Sequence, residues 1–183
     1  MKTRTALVLA ALTAGCALTL GACSTTYERR DPTGEVFPTV RGESLRGQTV
    51  VLPHDVSGGA PLLLLVGYKQ NAQFDIDRWL LGLDQAGVEV AALEVPTIPG
   101  MFAGMISGVI DRGMRRGIPQ EDWGAVVTLY DDASAVARFT GTEDGLTGRV
   151  LLLDGEGRVV FFHDRGYSVG TLRRLQAALE QLR

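Results

Sequence analysis

The chain has 183 residues, 45% of them hydrophobic and 21% charged, with a formal net charge of −3; this fits one ordinary globular domain. Lys2 and Arg4 are the only charges before position 23, so the remainder holds 16 basic and 21 acidic residues, a net of −5. With no basic run longer than a pair and few aromatics, that balance argues against nucleic acid as a partner.

Residues 1–22 read as a secretory signal peptide. A short basic start precedes an Ala- and Leu-rich run too short and too weakly hydrophobic for a permanent spanning helix. The run ends in Leu20-Gly21-Ala22-Cys23, which resembles the bacterial lipobox. The resemblance implies that Cys23 is acylated and becomes the new N-terminus; the alternative is an ordinary thiol behind an ordinary cleavage site. Leu12-Thr13-Ala14-Gly15-Cys16 is a second such site, but using it would truncate the apolar run. Acyl chains contribute about 0.8 kcal/mol per buried methylene, so several hold a protein firmly to one leaflet. The expected location is the cell envelope, facing the periplasm, and the non-acidic Ser24 favours the outer membrane over the inner. Residues 24–183 contain no cysteine. The folded part therefore has no disulfide, thiol nucleophile or cysteine metal site, although it should face an oxidising compartment.

Residues 23–36 are polar, carry Pro32 and Gly34, and read as the lipidated cysteine and a tether. The domain is expected over residues 37–183. Phe37-Pro38-Thr39-Val40 opens it, residues 44–53 read as a turn and a short strand, and residues 54–60 as a Gly-rich turn. Residues 62–68 are continuously apolar, which suits a strand buried on both faces. Over residues 71–86, Ile76, Trp79, Leu80 and Leu83 recur at helical spacing, with Asn71 a candidate N-cap and Gly87 a stop. Residues 88–93 read as a second strand. Strand, helix and strand then form a βαβ unit with a parallel pair and a right-handed crossover.

Pro96 and Pro99 break the pattern. A helix is expected over residues 101–114, where Met101/Phe102, Met105/Ile106 and Val109/Ile110 repeat every four residues. The uncharged run 95–110 has only 16 residues and two prolines, too little to span a bilayer. Its Gly104 and Gly108 form a GxxxG pair, read either as glycines admitting a close neighbour or as a surface for a partner or the bilayer. Arg112, Arg115 and Arg116 suit the negative end of that helix. Residues 125–130 read as a third strand and 131–139 as a short helix capped by Asp131-Asp132. Residues 149–154 and 158–163 form a hairpin around Gly155-Glu156-Gly157. Ser168 caps a last helix striped by Leu172, Leu175, Leu179 and Leu182.

This α/β order, closed by an antiparallel hairpin and a helix, resembles the thioredoxin fold, a mixed central sheet flanked by helices. Thr128-Leu129-Tyr130-Asp131-Asp132 followed by Val136-Ala137-Arg138-Phe139 is similar to a peroxiredoxin segment in which a strand ends in aspartate before a short helix. Arg149-Val150-Leu151-Leu152-Leu153-Asp154-Gly155 resembles the hairpin of peroxiredoxins and of the thioredoxin-like assembly factor of mitochondrial ATP synthase. In the latter family, Phe37-Pro38, Leu45-Arg46-Gly47 and Val51-Leu52-Pro53 also find rough counterparts.

The departures carry the functional expectation. Where thioredoxins place a Cys-x-x-Cys pair, and peroxiredoxins their peroxide-attacking cysteine, this chain has Lys69-Gln70-Asn71-Ala72-Gln73-Phe74. No hydroxyl or amide there can make and break a disulfide. Gly148 or Arg149 stands where thioredoxins carry a cis-proline that receives the substrate backbone. Arg149 matches an arginine that assists the peroxidatic cysteine; without that cysteine it reads as a charge at the end of the sheet.

No P-loop, dinucleotide fingerprint or nucleophile elbow is present, and neither a cofactor nor a metal is expected. His54 and His163 are the only histidines, and Asp75 and Asp77, two apart on a helix, should diverge. The leading expectation is a lipid-anchored, redox-inactive thioredoxin-like domain acting as a binding or assembly module. Its contact surface would be drawn from Tyr68, Lys69, Gln70, Gln73, Met101, Phe102 and Arg149. A second is a non-redox enzyme in the old cleft, which requires at least three of Lys69, Gln73, Arg149 and His163 to converge in one pocket. A third is a redox role exerted through a partner's thiols.

Overall fold

The computed structural model describes residues 26–100 and 103–183; Cys23, Met101 and Phe102 lie outside the described residues. In chain order the elements are β1 (Val40–Ser44), β2 (Thr49–Leu52), a single helical turn α1 (His54–Ser57), β3 (Leu62–Gly67), α2 (Gln73–Gln85), β4 (Ala91–Pro96), α3 (Ala103–Gly117), β5 (Val127–Thr128), α4 (Ala133–Thr140), β6 (Arg149–Leu153), β7 (Val159–His163) and α5 (Val169–Glu180). The main sheet has the order β4-β3-β6-β7, with β4 parallel to β3 and the other two pairings antiparallel. A second sheet, β2-β1-β5, adjoins its β4 edge through parallel bridges Glu94–Val126 and Thr97–Leu129.

β3 is the axis because its side chains serve two cores. Leu62, Leu64 and Val66 point to one face, among Phe37, Leu93, Val95, Leu129, Val136 and Leu151. Leu63 and Leu65 point to the other, among Ile76, Trp79, Leu83, Leu152, Leu172 and Leu175. All five β3 side chains are fully buried, each contributing about 1.5–3 kcal/mol. Alternation in a strand thus turns one apolar run into the middle of a three-layer sandwich.

Several expectations shift. The second strand is β4 at 91–96, not 88–93, because its register against β3 pairs Leu62 with Ala91 and Gly67 with Pro96. Val88 and Val90 instead pack against the α2/α5 core. Asn71 is not the N-cap of α2: it lies in the 3₁₀ turn Gln70–Ala72, and the cap position is Ala72, with no side-chain cap bond. Asp132 holds the cap position of α4 but makes no cap bond; its carboxylate accepts the Arg41 N–H at 2.7 Å and ties α4 to β1. Among the described residues, a Cβ on Gly108 would meet only Arg112, at 3.6 Å, so no close neighbour is seen there; the surroundings of Gly104 lie outside what is described. Ser168 does cap α5, accepting the Thr171 N–H at 3.1 Å.

The largest departure is the tether. Residues 27–37 are strapped to the domain at both ends of the sheet. Tyr27 and Thr142 exchange hydrogen bonds, Tyr27 N–H to Oγ1 at 3.0 Å and Thr142 N–H to the Tyr27 carbonyl at 2.9 Å. Arg29 forms a bidentate pair with Asp164 at 2.5 and 2.7 Å. Further on, Gly34 N–H donates to the Val159 carbonyl at 2.8 Å and Phe37 N–H to that of Gly157 at 2.9 Å. Polar composition predicts a linker, but these backbone groups find partners in the distant hairpin and loop.

Candidate functional site

β3 delivers Tyr68 and Lys69 to the junction with α2, at the carboxyl end of the two parallel strands. This is the usual position for a site in an open α/β sheet. Tyr68 turns inward. Its hydroxyl shares a 2.6 Å hydrogen bond with Thr140 Oγ1, and its ring lies under the Arg149 guanidinium, 5.5 Å from the centroid. Burial pushes the phenol well above its ordinary range, against the opposing effects of Thr140 and Arg149.

Arg149 is only 1% exposed, which corrects its placement on a partner surface. The loop before β6 folds back over it and offers carbonyls. The guanidinium donates to Gly141 O at 3.1 and 3.3 Å and to Thr147 O at 2.8 Å. Burial lowers its pKa, partly offset by Tyr68 and nearby carboxylates. It is an internal strut whose fork satisfies one loop.

Gly148 is likewise occupied internally. Its N–H donates to Asp75 Oδ2 at 3.0 Å, while Asp75 Oδ1 accepts the Tyr167 N–H at 2.7 Å. Asp75 is therefore a buried structural acceptor and Asp77, as expected, points elsewhere.

Asp77 points into a cleft of about 950 Å³ between α2, β4, α3 and residues 118–126. Tyr68, Lys69, Gln70 and Gln73 line one end, and Leu80, Ile98, Ile110, Met114 and Ile118 form apolar walls. A polar triad lines the cleft, Gln73 and Asp77 exposed at its rim and Glu94 half-buried. Gln73 Nε2 donates to Asp77 Oδ1 and to Glu94 Oε2, each at 2.9 Å, so the two carboxylates stand within twice that distance of one another. Burial raises the Glu94 pKa, the Gln73 hydrogen bond opposes this, and Asp77 and Asp122 raise it further. Asp122 also lines the cleft. An apolar channel with three carboxylates suits a cation on a hydrocarbon stem.

Of the four side chains named for a non-redox enzyme, Lys69 and Gln73 line this cleft, whereas Arg149 and His163 do not. His163 Nε2 donates to the Gly166 carbonyl at 2.8 Å and its ring meets Trp79 edge-on. The required convergence of three is not met. Among the described residues no group of three or more His, Cys, Asp or Glu could hold a metal ion. Sequence reading missed Glu94, although a lone acid inside Ala91-Ala92-Leu93-Glu94-Val95 was a visible signal. Asp122 carried none, because its place depends on the 3₁₀ turn Gln120–Gly124.

With this geometry in view, the fold is thioredoxin-like: a mixed four-stranded sheet between helices, with β3, α2, the β6–β7 hairpin and α5 in the characteristic order. Solved structures bear this out. The thioredoxin domain of a thiol-disulfide oxidoreductase from Bacteroides vulgatus matches with a TM-score of 0.54 and 16% identity, over 82% of this chain and 99% of that one. A SCO1/SenC family lipoprotein from Bacillus anthracis matches with a TM-score of 0.55 and 10% identity, over 85% and 99%. A hypothetical protein from Sinorhizobium meliloti matches with a TM-score of 0.57 and 18% identity, over 85% and 88%. These likenesses are of fold. No family model matches the sequence, and no curated protein matches it.

Proposed function

We propose that this chain is a lipid-anchored protein of the bacterial cell envelope, held by Cys23 and facing the periplasm. Its thioredoxin-like domain acts as a binding or assembly module rather than a thiol catalyst. One observation carries the reading. The strand–helix junction where the fold ordinarily places its thiols holds Lys69-Gln70-Asn71-Ala72-Gln73 and opens onto the cleft lined by Gln73, Asp77 and Glu94. The partner favoured by that lining is an envelope protein presenting a lysine or arginine side chain, whose stem meets Ile110, Met114 and Ile118 and whose cation meets Glu94. Outer-membrane residence is favoured by Ser24.

The test is site-specific photo-crosslinking in cells. A crosslinker at Gln70 or Ile118 should trap one discrete partner, a crosslinker at the exposed Leu81 should not, and Glu94→Lys should abolish the adduct. Adducts of equal yield at Leu81, or insensitivity to Glu94→Lys, would remove the cleft as the contact surface. Disulfide reductase activity in the purified protein would overturn the reading altogether.

A further inference from the structure

We propose that the end of the sheet at which Tyr68 emerges faces the lipid headgroups, so that the domain stands on the membrane in one orientation. The inference rests on the lipidation of Cys23 and adds to it a surface and a direction.

The first docked residue among those described is Tyr27, pinned to Thr142 by the paired hydrogen bonds above, with Arg138 over its ring at 5.6 Å. Thr142 lies two residues beyond Thr140, which bonds the Tyr68 hydroxyl. Tyr27 therefore sits beside the β3–α2 junction. From Tyr27 back to Cys23 there are four residue steps, which span at most about 14 Å when fully extended. An acylated cysteine sits at the headgroup boundary, so this end of the domain cannot leave the lipid surface by more than that reach.

The side chains at this end fit such a neighbour. Phe74, in the first turn of α2, is 69% exposed, and Leu146, in the loop folded over Arg149, is 54% exposed. Lys69 lies beside that loop, where a Cβ on Gly145 would come 3.1 Å from its Cε, and Arg138 is exposed next to Tyr27. Exposed Glu28, Glu143 and Asp144 stand among these cations, so the fit to the membrane rests on the two apolar tips and the reach of the tether, not on net charge. The opposite end of the sheet is the β6–β7 turn, a strand length of roughly 20 Å away. The cleft runs from Lys69 and Gln70 back along β4 to Ala92, so its near end opens at the lipid surface and its partner would be met there.

The test uses full-length, lipidated protein in vesicles of phosphatidylethanolamine and phosphatidylglycerol containing nitroxide-labelled lipid. The processed chain has no free thiol if Cys23 is acylated, so single cysteines can be introduced and labelled with a fluorophore. A label at Leu146→Cys should be quenched several-fold more than one at Glu156→Cys in the hairpin turn. Inserting about twenty Gly-Ser residues between Thr25 and Thr26 should erase the difference, because a flexible linker of that length reaches roughly 25 Å. If the protein floats with the vesicles yet both labels are quenched alike, or Glu156→Cys more, the orientation is overturned while lipidation stands. If mass spectrometry finds no acyl group on Cys23, the anchoring itself fails and takes the orientation with it.

Discussion

The carboxylate of Asp75 holds the backbone N–H of Gly148 at 3.0 Å. A helix is thereby pinned to the residue that leads into β6, and the same carboxylate reaches Tyr167 ahead of α5. Asp75→Ala leaves two N–H groups without an acceptor in a site that is 6% exposed. It should cost about 3 kcal/mol of stability, read by chemical denaturation. Asp75→Asn should cost less, because its one oxygen can serve one of the two donors.

Arg149→Lys is not a conservative change here. A point charge cannot reach both Gly141 and Thr147 carbonyls while lying over Tyr68. The expected loss is about 2–3 kcal/mol. It should be accompanied by increased amide exchange across residues 141–148, and unchanged exchange there would contradict the strut role.

Glu94 is raised in the folded state above its ordinary value of 4.5. The native chain therefore binds that proton more tightly than the unfolded chain. Stability falls as pH rises from 4.5 through the folded value, and the full cost of the ionised group is present above it. Glu94→Gln should raise the melting temperature at pH 8, and the gain should vanish toward pH 4. A gain independent of pH would show that ionisation is not its source.

Asp164 behaves oppositely. Burial alone would raise it, but the Arg29 hydrogen bond and charge, with Arg149 and His163, bring it below its ordinary 3.8. Its contribution is complete above 3.8 and is lost as pH falls through the lower folded value. The protection of the Tyr27 and Thr142 amides, taken as exchange relative to the intrinsic rate at each pH, should hold at pH 5 and fall only in strong acid. Asp164→Asn should remove that pH step.

Gly42 on β1 sits where a Cβ would lie 2.5 Å from Val127 Cγ1 and 2.8 Å from the Thr128 carbonyl. Gly42→Ala should force β1 from β5 and cost about 1–3 kcal/mol, visible as a lowered melting temperature. Gly47→Ala is no control for crowding, since Gly47 has a φ of 78° and strains an alanine for another reason.

Elements with strong periodicity were legible in the sequence. The β3 leucines, the α2 stripe, the β6–β7 hairpin and Ser168 each announce themselves within a short window. β4 was misplaced by three residues because Val88 and Val90 continue its apolar pattern while packing elsewhere. The residues 27–37 strap was invisible because its partners, Thr142, Asp164 and Val159, lie more than a hundred positions away. At the junction, residue types showed that no thiol was present. The Gln73, Asp77 and Glu94 triad depends instead on how α2 is rotated over β4, and Arg149 was read as a charge at the sheet end because only the fold shows the loop closing over it.

The strap also sets the order in which the molecule can be completed. Its contacts join residues separated by 115 and 135 positions, and its further partners are Glu143 in the loop before β6, Gly157 and Arg158 in the hairpin turn, and Val159 at the start of β7. Residues 27–37 are the first of the domain to emerge from synthesis or translocation, yet they can dock only after position 164 has followed them. Such non-local closure is slow. Residues 27–37 are therefore the last part of the domain to settle.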